Sequence, residues 1–226
     1  MNKFLGTLMA AWLLVMTCVL ASAATPVDFD AKMQEYGLVD VATLDSGIIV
    51  NLKYATTDNF VGKDMYCGLH KAYLTRETAN MLIAALHELR KINPRYSFII
   101  YDAARPQSVQ RTMWALVEGT AQQDYVARPY KGGAHNFGIA VDLSITLDGK
   151  PIDMGTPFDN FTTDAHITNE AALVKQGRIT AQARKNRQLL RKVLMAQGFN
   201  PLENEWWHFT SCSIDHARKH LRLLDF

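Results

Sequence analysis

The chain has 226 residues, 48% of them apolar and 20% charged, and carries a net charge of +2. That length and apolar content suit one well-cored globular domain. The small charge, with aromatics scattered rather than interleaved with Lys and Arg, excludes the basic surface that a nucleic-acid partner requires.

The N-terminus is a separate object. Lys3 gives a positive start, residues 8–20 are nearly all apolar, and Ala21-Ser22-Ala23 places small residues at a cleavage position. This pattern predicts a secretory signal peptide over residues 1–23 and a mature domain over 24–226. The apolar run is too short to span a bilayer comfortably, and no later stretch is longer, so no membrane span is expected after cleavage. Thr17 stands before Cys18 where a lipoprotein site would want Ala, Gly or Ser. Cleavage removes Lys3, which takes the charge from +2 to +1, and leaves Cys67 and Cys212. The expected location is the periplasm or cell envelope. An oxidising compartment would allow the two cysteines to pair, but sequence does not establish their reach, so the disulfide stays open.

Residues 48–52 (Ile-Ile-Val-Asn-Leu) read as a strand, and residues 54–70 as a loop with turn signals at Asp58-Asn59 and Gly62. Thr75 can cap a helix to about Lys91, with an apolar stripe of Met81, Leu82, Ala85, Leu86 and Leu89; Asn93-Pro94 stops it. Residues 97–101 form a short β-rich run. Pro106 suits the first turn of a second helix bearing Val109, Met113, Trp114 and Val117. Glycines punctuate 132–138. Residues 139–145 then alternate, with Asp142 on the less apolar face of a half-buried strand. Asp148-Gly149 marks a hairpin. Residues 153–170 are irregular. Thr180 can cap a third helix carrying Leu189, Leu190, Val193 and Leu194, with Gly198 at its end. Its many Lys and Arg read as a solvated face. Residues 206–211 read as a last strand. Strands and helices do not strictly alternate, so the expected class is α+β, one domain with a mainly antiparallel sheet and flanking helices.

Two segments carry the chemistry: Gly132-Gly133-Ala134-His135-Asn136-Phe137-Gly138-Ile139-Ala140-Val141-Asp142 and Glu205-Trp206-Trp207-His208. Between them they supply two imidazoles and two carboxylates. Amide hydrolysis at neutral pH needs a nucleophile stronger than water, and zinc provides one by lowering the pKa of a bound water to about 7. Catalytic zinc typically keeps three protein ligands. His135, Asp142 and His208 satisfy that count and leave Glu205 free to move protons. Glu205 and His208 lie three apart, which on a regular strand means opposite faces. Either Glu205 precedes the strand, or a bulge re-aims it. His70, His87, His166, His216 and His220 lack such company and read as surface residues. One of Trp206 and Trp207, by alternation, is core filling. Arg105 ends a strand and can aim a guanidinium into a cleft; a salt bridge to Asp102 or Glu118 is the alternative, and position alone does not choose.

The two segments together, His135-x-x-Gly138-x-Ala140-x-Asp142 and Glu205-x-Trp207-His208, resemble the zinc signature of the D-alanyl-D-alanine metallopeptidases, most of all the VanX-type dipeptidases. Lys53-Tyr54-Ala55-Thr56-x-Asp58-Asn59-Phe60-x-Gly62, Tyr101-Asp102-x-x-Arg105-Pro106 and Met154-Gly155-x-x-Phe158-Asp159 resemble further motifs of that family, so the likeness spans roughly residues 50–210. The resemblance implies the small α+β fold shared with hedgehog-type domains and one Zn²⁺ per chain, held by His135, Asp142 and His208. It implies Glu205 as general base and acid, Arg105 as stabiliser of the tetrahedral intermediate, and Tyr54 and Asp159 lining the pocket, with Asp159 receiving a dipeptide's ammonium. One position departs: the family usually has Ser two residues before the first zinc His, where this chain has Gly133. That departure bears on substrate recognition and not on the metal.

The leading expectation is therefore a zinc dipeptidase hydrolysing the small dipeptide D-alanyl-D-alanine in the cell envelope, for wall-precursor recycling or glycopeptide resistance. A zinc D,D-carboxypeptidase or endopeptidase acting on peptidoglycan stems is the alternative. A non-catalytic zinc-binding module is a third reading, which Glu205 beside three ligands argues against.

Overall fold

The computed structural model describes residues 27–226, so the leader expected over 1–23 lies outside the described residues. In chain order the described elements are α1 (Phe29–Glu35), β1 (Val39–Asp40), β2 (Ile49–Val50), β3 (Tyr73–Leu74), α2 (Arg76–Ile92), β4 (Tyr96–Asp102), α3 (Gln107–Val117), β5 (Ala140–Leu147), β6 (Lys150–Pro151), α4 (Glu170–Lys175), α5 (Ala181–Met195), β7 (Asn200–Leu202), β8 (Glu205–Thr210) and α6 (Ile214–His220). The class is α+β. The main sheet has the order β2-β4-β5-β8-β7, with β6 pairing the far end of β5. All its pairings are antiparallel except β2 with β4, which is parallel.

The caps form where side-chain chemistry places them. The Thr75 hydroxyl accepts from the Thr78 N–H and starts α2, and the Thr180 hydroxyl accepts from the Ala183 N–H and starts α5. Leu82, Ala85, Leu86 and Leu89 are fully buried on α2, while Met81 sits at the edge of the stripe. Each buried Leu contributes about 2 kcal/mol of transfer free energy. Helices α2 and α5 pack side by side, α2 on β4 and α5 on β5 and β7, and so close one face of the sheet. Asp148 and Gly149 both take positive φ, 52° and 78°, the tight turn that Asp-Gly favours between β5 and β6.

Four expectations change in the folded chain. Within the run over 48–52 only Ile49 and Val50 form strand; the Asn51 N–H still donates to the Ile100 carbonyl at 2.9 Å, and Leu52 caps the 3-10 turn Lys53–Ala55 that ends the run. Strand β5 is buried on both faces over residues 140–146 rather than half-buried; Ser144, on its polar face, lines a hollow with Met154 and Phe158. Pro106 caps α3 instead of lying in its first turn. Trp206 and Trp207 are both buried, stacked edge-on with centroids 5.4 Å apart. Strict alternation fails there because the β7–β8 register slips between Pro201, opposite Phe209, and Leu202, opposite Glu205. Cys67 and Cys212 are both free thiols. No described helix is long and apolar enough to cross a membrane.

Candidate metal centre and active site

His135 sits on a 3-10 turn, Ala134–Phe137, that Gly138 ends in a left-handed conformation (φ 67°). A Cβ at Gly138 would come within 2.9 Å of Leu38 and 3.3 Å of the Thr75 nitrogen, so that close approach demands glycine. The Nδ1–H of His135 donates to the Ala103 carbonyl at 2.7 Å, which fixes the tautomer and leaves Nε2 as a lone-pair donor. Asp142 lies on β5 directly opposite His208 on β8. His208 Nδ1 is 3.2 Å from His135 Nε2 and 2.9 Å from Asp142 Oδ1; His135 Nε2 is 3.4 Å from Asp142 Oδ2.

This donor set fits a metal. Ligand atoms of His135, Asp142 and His208 all lie within 4.8 Å of one another. Tetrahedral zinc with bonds of about 2.0–2.1 Å needs neighbouring donors about 3.3 Å apart, close to the three separations found. Burial opposes ionisation of Asp142, yet the two imidazoles outweigh it and hold its carboxyl well below the usual range. A field arranged that way favours positive charge between the rings.

The register slip at Leu202 solves the spacing of the last motif. Glu205 begins β8 and, with residues 206–208 bulged out of the β7 ladder, shares the cleft with His208. Its Oε2 is 3.9 Å from His208 Nδ1. Burial pushes the Glu205 carboxyl up to about 8, His208 pulling against it and Asp142 and Asp159 adding to it. Arg105 satisfies both readings left open by its position. Its Nε donates to Asp102 Oδ2 at 2.9 Å and its Nη1 to Gln110 Oε1 at 2.9 Å, while the guanidinium lies 5.1 Å from the Tyr54 ring and lines the cleft. Glu118 takes no part in that ion pair.

Asp159, at φ 57°, faces the same cleft and accepts from the Tyr54 hydroxyl at 3.0 and 3.1 Å. Burial pushes its carboxyl up to about 7, with Asp142 adding to the rise and the Tyr54 hydrogen bond and Arg105 opposing it. The cleft encloses about 310 Å³ and brings together all seven residues singled out from sequence: Tyr54, Arg105, His135, Asp142, Asp159, Glu205 and His208. That volume is at the small end for ligand sites and suits a molecule the size of a dipeptide.

Other residues of the cleft were not legible as such. Tyr125 stacks on Phe161 with centroids 4.9 Å apart, and Phe60 meets Phe161 at 5.3 Å, so three loops form one aromatic wall. Gln110 donates to the Ala127 carbonyl at 2.7 Å and so links Arg105 to the wall. No linear spacing announces these pairs. Asp102 was legible only as a partner for Arg105; it also accepts a short hydrogen bond from the buried Tyr66. At Gly133 an added Cβ would meet Ala127 Cβ at 2.7 Å, so the wall occupies the space a side chain would need.

Comparison with known proteins agrees with this architecture. The profile of one family, described as D-ala-D-ala dipeptidase, matches residues 34–224. A D-alanyl-D-alanine dipeptidase of Escherichia coli (strain K12) is 33% identical over 177 residues, which cover 76% of this chain and 83% of that protein. D-alanyl-D-alanine dipeptidases of Enterococcus faecium and of Synechocystis sp. are each 27% identical, covering 77% and 66% of this chain and 91% and 73% of theirs. The chain belongs to the D-ala-D-ala dipeptidase family and is a metallopeptidase.

Proposed function

We propose that this protein is an exported zinc dipeptidase that hydrolyses free D-alanyl-D-alanine to two molecules of D-alanine in the cell envelope. The observation that carries the reading is the convergence of three buried metal-type donors, a spare carboxylate and a second, ammonium-type carboxylate in one cleft of about 310 Å³. His135 Nε2, His208 Nδ1 and an Asp142 oxygen would hold the zinc. Bound there, zinc supplies a water of pKa about 7 and polarises the amide carbonyl. Glu205 takes the proton of the attacking water and delivers it to the leaving amine. Arg105, braced by Asp102 and Gln110, donates to the carbonyl oxygen as it gains charge. Asp159, oriented by Tyr54, accepts the substrate ammonium and so favours a free N-terminus over a longer chain.

The test is hydrolysis of free D-alanyl-D-alanine against a pentapeptide stem ending in the same two residues, with metal analysis of the purified protein. A higher kcat/KM on the pentapeptide would make the protein a D,D-carboxypeptidase. Lys3, the apolar residues 8–20 and Ala21-Ser22-Ala23 support export. Envelope-extracted protein is expected to begin at Ala24. An exported enzyme cannot reach cytoplasmic wall precursors, which favours dipeptide recycling as its role.

A further inference from the structure

Residues 153–165 have little regular structure, yet they present Asp159 to the cleft in a left-handed conformation. Such a segment holds a carboxylate still only if something outside it pins the backbone. The pin comes from α5. Arg187 is fully buried, and its Nε donates to the Met154 carbonyl at 2.6 Å while its Nη1 donates to the Asp164 carbonyl at 2.9 Å. One of these carbonyls lies on each side of Asp159. Arg187 Nη2 is 3.4 Å from the Thr156 hydroxyl, which also accepts from Trp206 Nε1 at 2.8 Å. Trp206 adjoins Glu205, and the Arg187 guanidinium lies 5.8 Å from its ring centroid. Behind Arg187, the buried Glu170 carboxylate is 3.9 Å away and accepts from Arg191 at 2.8 Å. The neighbouring Asn186 donates to the Asp153 carbonyl at 2.7 Å.

A buried guanidinium is a costly choice for the inner face of a helix, where an apolar side chain of similar volume often serves as well or better. Burial pushes its pKa down to about 10, with Glu170 opposing, so it stays charged at neutral pH. What an apolar side chain cannot do is hold two distant carbonyls at a set separation. A planar fork of donors can, and the point charge of Lys cannot.

We infer that Arg187 is a positioning residue for recognition of the substrate's free ammonium: it locks residues 153–165 and thereby sets where Asp159 stands relative to the metal centre. The inference rests on the proposal that Asp159 receives the ammonium.

The readout is a ratio, kcat/KM on D-alanyl-D-alanine over kcat/KM on its N-acetylated form, measured with the metal-loaded protein. In Arg187→Lys the ratio is expected to fall about tenfold, through KM, since a displacement of about 1 Å is enough to cost that much. Metal content and turnover of the acetylated peptide should stay within about twofold of wild type, whereas a general loosening would lower both substrates together. In a Glu205→Gln background, which binds without turnover, calorimetric Kd values for the two peptides should shift by the same factor. Thr156→Val, which deletes only the shared hydroxyl, is the milder variant and should lower the ratio about threefold. An unchanged ratio in either folded variant, or an equal loss on both peptides, overturns the inference. If wild type itself shows no preference for the free ammonium, the role of Asp159 falls first and the inference with it. A wild-type preference that the variants retain removes only Arg187.

Discussion

Replacing Asp159 by Asn is the sharpest test of how the cleft reads its substrate. Asn keeps the shape and one acceptor for Tyr54 but removes the charge. Two opposite charges about 4 Å apart at an effective dielectric of about 20 attract by about 4 kcal/mol. Asp159 keeps some solvent contact, and the substrate ammonium loses hydration on entry, so a net loss of about 2–3 kcal/mol is expected, on the order of a hundredfold in kcat/KM. The pH dependence gives a second signature. Tyr54, Asp142, Asp102 and Arg105 face the group, and burial with the Asp142 charge leaves its carboxyl at about 7. The folded-state pKa is raised, so the carboxyl is neutral below about 7 and ionised above it. Ammonium binding needs the ionised form. Glu205, whose carboxyl burial raises to about 8 in the same cleft, must be ionised as well, so toward acid wild-type kcat/KM should fall with two protons and Asp159→Asn with one, while the peptide's own amine, with a pKa near 8, limits the alkaline side. The assay is D-alanine release from D-alanyl-D-alanine between about pH 5.5 and 9 with both proteins. Asp159→Asn should lie about a hundredfold below wild type at pH 8 and fall less steeply toward acid. A variant that keeps both the rate and the wild-type slope would refute the ammonium role.

Glu205→Gln should retain its metal and fold but lose about 10³–10⁴ in kcat, because the amide cannot shuttle the proton; metal analysis with a progress curve checks both. Chelation should abolish hydrolysis and lower the Tm, since His135, Asp142 and His208 otherwise leave a buried carboxylate between two imidazoles; added Zn²⁺ should restore both. Gly133→Ser should cost about 1–3 kcal/mol of stability, because its Cβ would fall 2.7 Å from that of Ala127, and Ala127→Gly should recover part of the loss; denaturant melts of the single and double variants measure it.

The grouping of the candidate site residues was the most legible part of this chain, since all of them line one cleft. His135, Asp142, Glu205 and His208 stand in two short segments whose residue types have few other joint uses, and Thr75, Thr180 and Asp148-Gly149 punctuate elements through local hydrogen bonds and local φ. These are interactions over a few residues, and a linear pattern records them. Element type for long periodic runs was legible for the same reason, as the buried stripe of α2 illustrates.

Tertiary structure decided what depends on partners distant in sequence. Strand β5 alternates like a half-buried strand, yet residues 140–146 are all buried, and Ser144 on its polar face lines a hollow with Met154 and Phe158. Glu205 and His208 share one cleft only because β7 slips in register against β8. Asp159 acquires Tyr54, and the carbonyls of Met154 and Asp164 acquire Arg187, across gaps that no periodicity spans. Local propensity acts through the backbone of neighbouring residues, so it writes helices, caps and turns into the sequence; the position of a carboxylate to within an ångström is set by packing between segments, which exists only once the chain has closed on itself.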